Sequence, residues 1–467
     1  MHIGITRTII QKVRAMEEFM ARLFGTDGVR GVANEKLTCD LAFKLGQAGA
    51  SVLTSEVHKA RILIGRDTRI SGEMLESALV AGICSVGAEA VVAGVIPTSG
   101  VSYLTRNYDA DAGIVISASH NSAEYNGIKF FNAQGKKLPD EIEDHIENII
   151  LSGGEEIELK TGVNVGRRVR AANASAEYKE FLISTTDTSL RGLKIVLDCA
   201  HGAASNIAPR AFAELGADVV PYYNTPDGTN INDNCGSTHP GKLRQLVAEL
   251  GADMGFAFDG DADRLIAVDE HGIVVDGDQI MAICAMDLKA QGLLKQNTLV
   301  CTVMSNLGLD IAMKAAGIQT VKTRVGDRYV LEEMERGGYS LGGEQSGHII
   351  FLDHNATGDG ILTGIQLASI VMRSGKSLSK LADTVSILPQ VLVNARVKDE
   401  HKEHIMEDEQ VKKQIDALEK LFAGKGRVLI RPSGTEPLVR VMIEGPDKKE
   451  IERQAVDMAK LIESRLA

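Results

Sequence analysis

Ser119 ends a run of β-branched residues, Ile114, Val115 and Ile116, that gives way to Ser117-Ala-Ser119-His120-Asn121. A hydroxyl at a strand end is well placed to be a nucleophile, because the sheet fixes the backbone while the loop stays open. Taken alone, such a serine reads first as a turn former. A second stretch far downstream, Asp259-Gly-Asp261-Ala-Asp263-Arg264, changes that reading. Three carboxylates alternating after the apolar run Met254 to Phe258 repel one another, and a hard divalent cation with oxygen ligands removes the cost. A solvated acidic loop is the plain alternative. An EF-hand calcium loop is the sharper one, since Asp259, Asp261, Asp263, Ile266 and Glu270 fit its positions 1, 3, 5, 8 and 12. It fails because Arg264 stands where the sharp turn needs Gly, and because the flanks read as strands. Three Asp ligands leave sites open for a phosphate oxygen, which suits Mg²⁺.

A metal beside a strand-end serine is what phosphoryl transfer asks for, since its transition state needs positioning and charge neutralisation. Arg431-Pro-Ser433-Gly434-Thr435 offers a guanidinium, two hydroxyls and backbone N–H groups, either a phosphate cradle or a Ser/Gly turn. Glu344, Ser346 and His348 lie within Gly342-Gly-Glu344-Gln-Ser346-Gly-His348. They suit sugar hydroxyls, or form a polar loop with a structural His. Lys129 follows a turn from Asn121 to Asn126 that brings it back toward Ser119; otherwise it is an exposed surface lysine.

Composition narrows the setting. With 467 residues the chain is too long for one core and suggests three or four domains. Its hydrophobic content of 44% is that of a soluble globular protein, and no apolar run reaches the roughly 18 residues of a membrane helix. A net charge of -12 argues against bulk nucleic-acid binding, so cations for an anionic ligand must be gathered locally. The six cysteines are scattered, which points to free thiols in a reducing compartment, hence a cytoplasmic location.

The elements that must position these residues repeat one grammar: helix, Gly stop, short strand. It ends at Gly87, Gly216, Gly251 and Gly317 in turn. The pattern predicts an α/β fold of βαβ units, with three related domains over 21–172, 175–275 and 276–388. Residues 1–20 read as an N-terminal extension, with Met1 or Met20 as the start. The tail, 389–467, reads as a two-layer α+β domain. Its helix around Ile415, Leu418 and Leu421 precedes two strands, and a last helix puts Ile451, Ala455, Met458, Ala459, Ile462 and Leu466 on one face.

Five stretches in this order resemble the α-D-phosphohexomutase superfamily from Leu23 to the C-terminus. They are Phe24-Gly-Thr-Asp-Gly-Val-Arg30-Gly31, Ser117 to Asn121, Asp259 to Arg264, Gly343 to His348, and Arg431 to Pro437. Ser117 and Gln345 look like its glucosamine branch, since the glucose and mannose branches typically carry Thr and Met there. The resemblance implies mixed-sheet domains and a mobile C-terminal domain around a central cleft. It also implies interconversion of glucosamine 6-phosphate and glucosamine 1-phosphate through a phosphoserine and a 1,6-bisphosphate, feeding UDP-N-acetylglucosamine synthesis. Ser119 would carry the phosphoryl group and, with Asp259, Asp261 and Asp263, ligate one Mg²⁺, a sugar 1,6-bisphosphate serving as activator. Arg264 would steady the transferring group, with Arg30 and His348 as helpers. His120, Asn121, Glu344 and Ser346 would meet the sugar, while Arg431, Ser433, Gly434, Thr435 and Arg440 would hold the idle phosphate. Lys129 would be general base and acid, its pKa lowered by nearby cations.

Two readings rival this one: the same mechanism on glucose or mannose phosphates, or a non-catalytic sugar-phosphate sensor. The partner expected is a phosphosugar, with neither nucleic acid nor membrane, and a homodimer left open. Ser122 stands where the family pattern usually has Pro, which predicts a looser nucleophile loop.

Overall fold

The structure, a computed structural model, describes residues 23–25, 27–53, 59–398, 401, 405, 407–432 and 438–466. The extension expected over 1–20 lies outside them. Two compact units emerge: residues through Val303 with Val321–Ala382, and Met304–Thr320 with Asp383 onward.

The first unit carries three sheets. The first holds β1 (Val29–Val32), β2 (Arg61–Arg66), β3 (Glu89–Val95), β4 (Ala112–Ile116), β5 (Tyr125–Asn132) and β6 (Arg168–Arg170), in spatial order β1-β5-β4-β2-β3-β6. Helices α1 (Cys39–Leu53), α2 (Gly72–Ser85), α3 (Thr98–Asn107), α4 (Asp140–Leu151) and α5 (Ala174–Ser184) accompany it. The second comprises β7 (Lys194–Asp198), β8 (Asp218–Tyr222), β9 (Met254–Phe258), β10 (Leu265–Asp269) and β11 (Val274–Val275), ordered β11-β10-β9-β7-β8, with α6 (Ala204–Glu214) and α7 (Gly241–Leu250). The third follows α8 (Gly277–Ala290) and contains β12 (Thr298–Thr302), β13 (Gln319–Thr323), β14 (Leu341–Gly343) and β15 (Ile349–Phe351), ordered β13-β12-β14-β15. Between its strands come α9 (Leu307–Ala315) and α10 (Asp327–Gly337), and after them α11 (Gly360–Ser374) and α12 (Leu378–Ala382).

The helix–Gly–strand grammar holds at each repeat. At the end of α7, Gly251 takes φ 57 and ψ 43, a left-handed cap that a side chain would resist, and the chain turns directly into β9. Parallel pairs fill the sheet centres: β2 with β3 and β4, β7 with β8 and β9, β12 with β14. Antiparallel pairs appear where a strand turns back on itself, β4 to β5, β9 to β10 and β14 to β15. Ile114, Val115 and Ile116 are wholly buried, as is all of β9. Each such side chain contributes roughly 1.5–3 kcal/mol, so the strand ends are firm platforms. All six cysteines are free. Among the described residues no helix is long and apolar enough to cross a membrane.

The second unit is a three-stranded antiparallel sheet, β16 (Gln390–Arg396), β17 (Arg427–Pro432) and β18 (Leu438–Glu444), ordered β16-β18-β17, with α13 (Glu409–Phe422) and α14 (Lys448–Leu466). Val439, Val441 and Ile443 meet Ile415 and Leu418 of α13 and Ile451, Ala455, Met458 and Ile462 of α14. Leu421 is 56% exposed, and Phe422 packs with Leu418 because it falls one full helical turn beyond it. The segment carrying α9 belongs here too. Glu444, wholly buried, accepts the Leu307 N–H at 3.1 Å, and Arg427 bridges it at 3.1 Å to the Ser305 carbonyl at 2.9 Å.

Candidate active site

Three of the stretches that could do chemistry are turns between antiparallel strands. β4 enters the first, and β5 returns with Lys129 opposite Val115 and Ile128 opposite Ile116. Lys129 is thereby drawn back to the strand end, buried at 2% exposure rather than lying on the surface. Ser119 is 1% exposed, with φ 51, and its Oγ donates to Asp259 Oδ2 at 2.5 Å. His120 Nδ1 lies 3.5 Å from the same hydroxyl. Burial, then Arg264 and Arg30, hold that imidazole below its ordinary pKa. Asn121 is half-buried beside it.

β9 enters the second turn and β10 leaves it, Leu265 pairing with Phe258. Asp259, Asp261 and Asp263 are buried, and one oxygen from each lies within 4.8 Å of the others. Burial and its two neighbours push Asp259 well up. Asp263, against burial, is held down by His348, Lys129 and Arg264. Asp261 Oδ1 and Asp263 Oδ1 are buried without a hydrogen-bond partner. An unsatisfied buried acceptor costs about 1–3 kcal/mol, more when charged, and a cation bound there would cancel it. The donors are all oxygens, so the site fits a hard divalent ion.

Lys129 requires a correction. Its neighbours are carboxylates rather than cations: Nζ lies 2.9 Å from Asp261 Oδ2 and 3.0 Å from Asp27 Oδ2. Burial opposes its charge, but Asp261, Asp27 and Asp263 outweigh burial and hold its pKa above the ordinary lysine range. Asp27 in turn pairs with Arg30 and with Lys137, and Lys137 continues to Asp327 at 2.6 Å. The spacing of the chain gives no hint of Lys137 or Asp327, which meet only because the segment after β5 reaches the first residue of α10. Thr98 is a further unexpected member, its hydroxyl donating to Asp261 Oδ2 at 2.7 Å and its N–H to the Asp261 carbonyl at 3.0 Å. A threonine opening a helix after Pro97 is its only local signal.

The third turn, between β14 and β15, lies against the second. Arg264 and His348 form a β-bridge, and the Leu265 N–H donates to the Gly347 carbonyl at 3.0 Å. His348 Nε2 accepts the Gly358 N–H at 3.0 Å, which leaves the ring proton on Nδ1, 3.5 Å from Asp263 Oδ2. Arg264 Nε lies 3.8 Å from Asp263 Oδ1. Glu344 Oε1 accepts the Gly326 N–H at 3.0 Å, and Ser346 is exposed. Gln345 turns away from its neighbours and donates to Asp276 Oδ2 at 3.2 Å, at the N-terminus of α8. Ser119, His120, Lys129, the three aspartates, Arg264 and His348 thus share one site.

The fourth stretch belongs to the second unit. Arg431 of β17 and Arg440 of β18 stand directly opposite one another, both half-buried. Burial, then Arg440, pull the Arg431 pKa down. Ser433, Gly434 and Thr435 lie outside the described residues.

Four family models match the chain in order: phosphoglucomutase/phosphomannomutase alpha/beta/alpha domains I, II and III over residues 21–156, 176–272 and 276–387, and the C-terminal domain over 392–461. A phosphoglucosamine mutase of Thermoanaerobacter sp. (strain X514) is 62% identical over 449 residues, covering 96% of this chain and 100% of the relative. One of Acetivibrio thermocellus is 61% identical over 448 residues, with the same coverage. Among solved structures, a phosphoglucomutase/phosphomannomutase family protein from Burkholderia thailandensis superposes with a TM-score of 0.79 at 25% identity, covering 95% of this chain and 97% of that one.

Proposed function

The chain belongs to the phosphoglucomutase/phosphomannomutase family, and on that premise we propose that it interconverts glucosamine 6-phosphate and glucosamine 1-phosphate. The observation that carries the reading is the 2.5 Å contact between Ser119 Oγ and Asp259 Oδ2, which joins a nucleophile to an oxygen-only cation site. Ser119 carries a phosphoryl group, gives it to the sugar to form a 1,6-bisphosphate, and recovers the other phosphate. Mg²⁺, held by Asp259, Asp261, Asp263 and Ser119, would supply charge neutralisation for the phosphoryl group.

Lys129, kept protonated by its carboxylate neighbours, adds a second positive charge beside the transferring phosphoryl group. Arg264 steadies the equatorial oxygens, and Arg30 and His348 hold the surrounding carboxylates in register. Glu344 and Ser346 meet the sugar hydroxyls, with His120 and Asn121 at the reacting end. Arg431, Ser433, Gly434, Thr435 and Arg440 hold the phosphate that is not reacting. The segments 21–172, 175–275, 276–388 and 389–467 would contribute, in turn, nucleophile, metal ligands, sugar contacts and phosphate contacts. A sugar 1,6-bisphosphate primes the serine, and the product feeds UDP-N-acetylglucosamine synthesis in the cytoplasm.

The test compares turnover of glucosamine 6-phosphate and glucose 6-phosphate, with Mg²⁺ and with or without bisphosphate, and takes the intact mass of the purified protein. Preference for the amino sugar and one phosphate on Ser119 are expected. An unphosphorylated, inactive protein would mark a sensor instead.

A further inference from the structure

Arg69 sits in the turn after β2 and is 1% exposed. Burying a guanidinium is costly unless its N–H groups are answered, and here all of them are. Nε donates to Asp67 Oδ2 at 2.8 Å. One terminal nitrogen donates to the carbonyls of Ser122 and, at 3.0 Å, Tyr125. The other donates to the carbonyls of Ser119 at 3.0 Å and Asn121 at 2.8 Å. Every acceptor except Asp67 is backbone of the nucleophile loop. The looseness expected from Ser122 is countered here, since its carbonyl is one of those held.

Asn232, from the second α/β region, doubles the grip. Its Nδ2 donates to the same two carbonyls, Ser119 at 2.8 Å and Asn121 at 2.9 Å. From the other side, Ser117 Oγ donates to Asp67 Oδ2 at 2.7 Å and accepts the Ser119 N–H at 2.9 Å. The metal loop closes in as well: a Cβ on Gly260 would stand 2.6 Å from the Ser119 carbonyl, so only glycine fits. The turn bearing Arg69 is itself registered to the second region, Thr68 Oγ1 donating to the His201 carbonyl at 2.6 Å and Ile70 N–H to Gly228 at 2.8 Å.

Ser119 has φ 51, a left-handed conformation costing an L-residue about 1–2 kcal/mol. With its N–H and its carbonyl both fixed, only side-chain rotation remains to aim Oγ. We infer that Arg69 and Asn232 are positioning residues for phosphoryl transfer, acting through the Ser119 backbone to hold the donor oxygen against the aspartate trio. The inference rests on the reading of Ser119 as phosphoryl carrier. Lysine is no substitute at position 69, because three donors on a point charge cannot answer the acceptors of a planar five-donor fork.

The test uses full-length protein with Mg²⁺, phosphorylated by glucose 1,6-bisphosphate, as wild type, Arg69→Lys and Asn232→Gly. Glycine at 232 accepts the local φ of 58, so that variant removes the amide without adding backbone strain. Single-turnover transfer to glucosamine 6-phosphate is measured against loss of the phosphate to water, with KM and thermal unfolding alongside. Transfer is expected to slow about 10²-fold in Arg69→Lys and roughly 10-fold in Asn232→Gly. KM should barely move, and a larger share of phosphoenzyme should be lost to water, which a purely structural role would not produce. Should Arg69→Lys lose its cooperative unfolding, Asn232→Gly decides alone. Wild-type transfer rates in the folded, phosphorylated variants overturn the inference by itself. A wild type that takes no phosphate on Ser119 overturns the functional reading along with it.

Discussion

At the turn between β9 and β10, three buried carboxylates are met by Arg264 of the same turn and by Lys129 and His348 from separate stretches, whereas on the paired strands β17 and β18 two half-buried arginines face each other. The first arrangement is closed. Lys129 is shared between Asp27 and Asp261, Lys137 between Asp27 and Asp327, and His348 Nδ1 lies 3.5 Å from Asp263 Oδ2. Deep burial demands this, since an unanswered charge there costs several kcal/mol. The second arrangement sits where water still screens, so a like-charge pair costs only a few tenths to about 1 kcal/mol. A buried site is therefore balanced largely by its own side chains, with Asp261 Oδ1 and Asp263 Oδ1 left for a cation, while a half-exposed one tolerates facing like charges.

The severest break is Ser119→Ala. Turnover should fall by roughly 10⁴-fold or more with the melting temperature nearly unchanged, because the hydroxyl adds little to the core. Residual activity near wild type would exclude a covalent step. Next comes Asp261→Asn, which takes a charge from the closed network and weakens the hold on Thr98 and Lys129. Metal affinity by calorimetric titration should drop at least about 10-fold, with activity falling in parallel. An unaltered titration would count against the carboxylate trio.

Arg431→Gln probes the other side of the contrast. KM for the sugar phosphate should rise about 10-fold while kcat holds, and unfolding of the C-terminal unit should shift slightly upward as the facing charges separate. A fall in kcat with KM unchanged would mean that Arg431 serves the reacting phosphate instead.

The smallest effect concerns Glu270, a carboxylate answered by hydroxyls. Burial works against its charge, but hydrogen bonds from Ser377 and Ser379 bring its pKa from the ordinary 4.5 down to about 2. Because the folded value is depressed, its contribution is full above pH 4.5 and lost as pH falls toward 2. Glu270→Gln should lower the melting temperature slightly at pH 7, and the gap should close across that acid window. A gap constant with pH would assign the loss to packing.

Much of this was legible in the chain because it is local. Alternating β-branched residues before Ser119, the helix-ending Gly251 and the one-faced pattern of Ile451, Ala455, Met458 and Ile462 each follow from backbone geometry over a few residues. The carboxylate trio was legible for the same reason, its members being two apart. Lys129 was misjudged because the sign of a pKa shift depends on neighbours from other segments.

What the sequence alone determined was which strand ends carry a serine hydroxyl, a carboxylate trio able to hold a cation and a run of polar groups, since spacing and residue type suffice for that. Only the tertiary structure decided that antiparallel returns bring Lys129 and His348 to the aspartates, that Thr98 and Lys137 join them, and that Arg69 and Asn232 pin the serine. Those residues meet through loops and strands distant in the chain, and charge balance and hydrogen-bond geometry depend on distance in space, which no local pattern encodes.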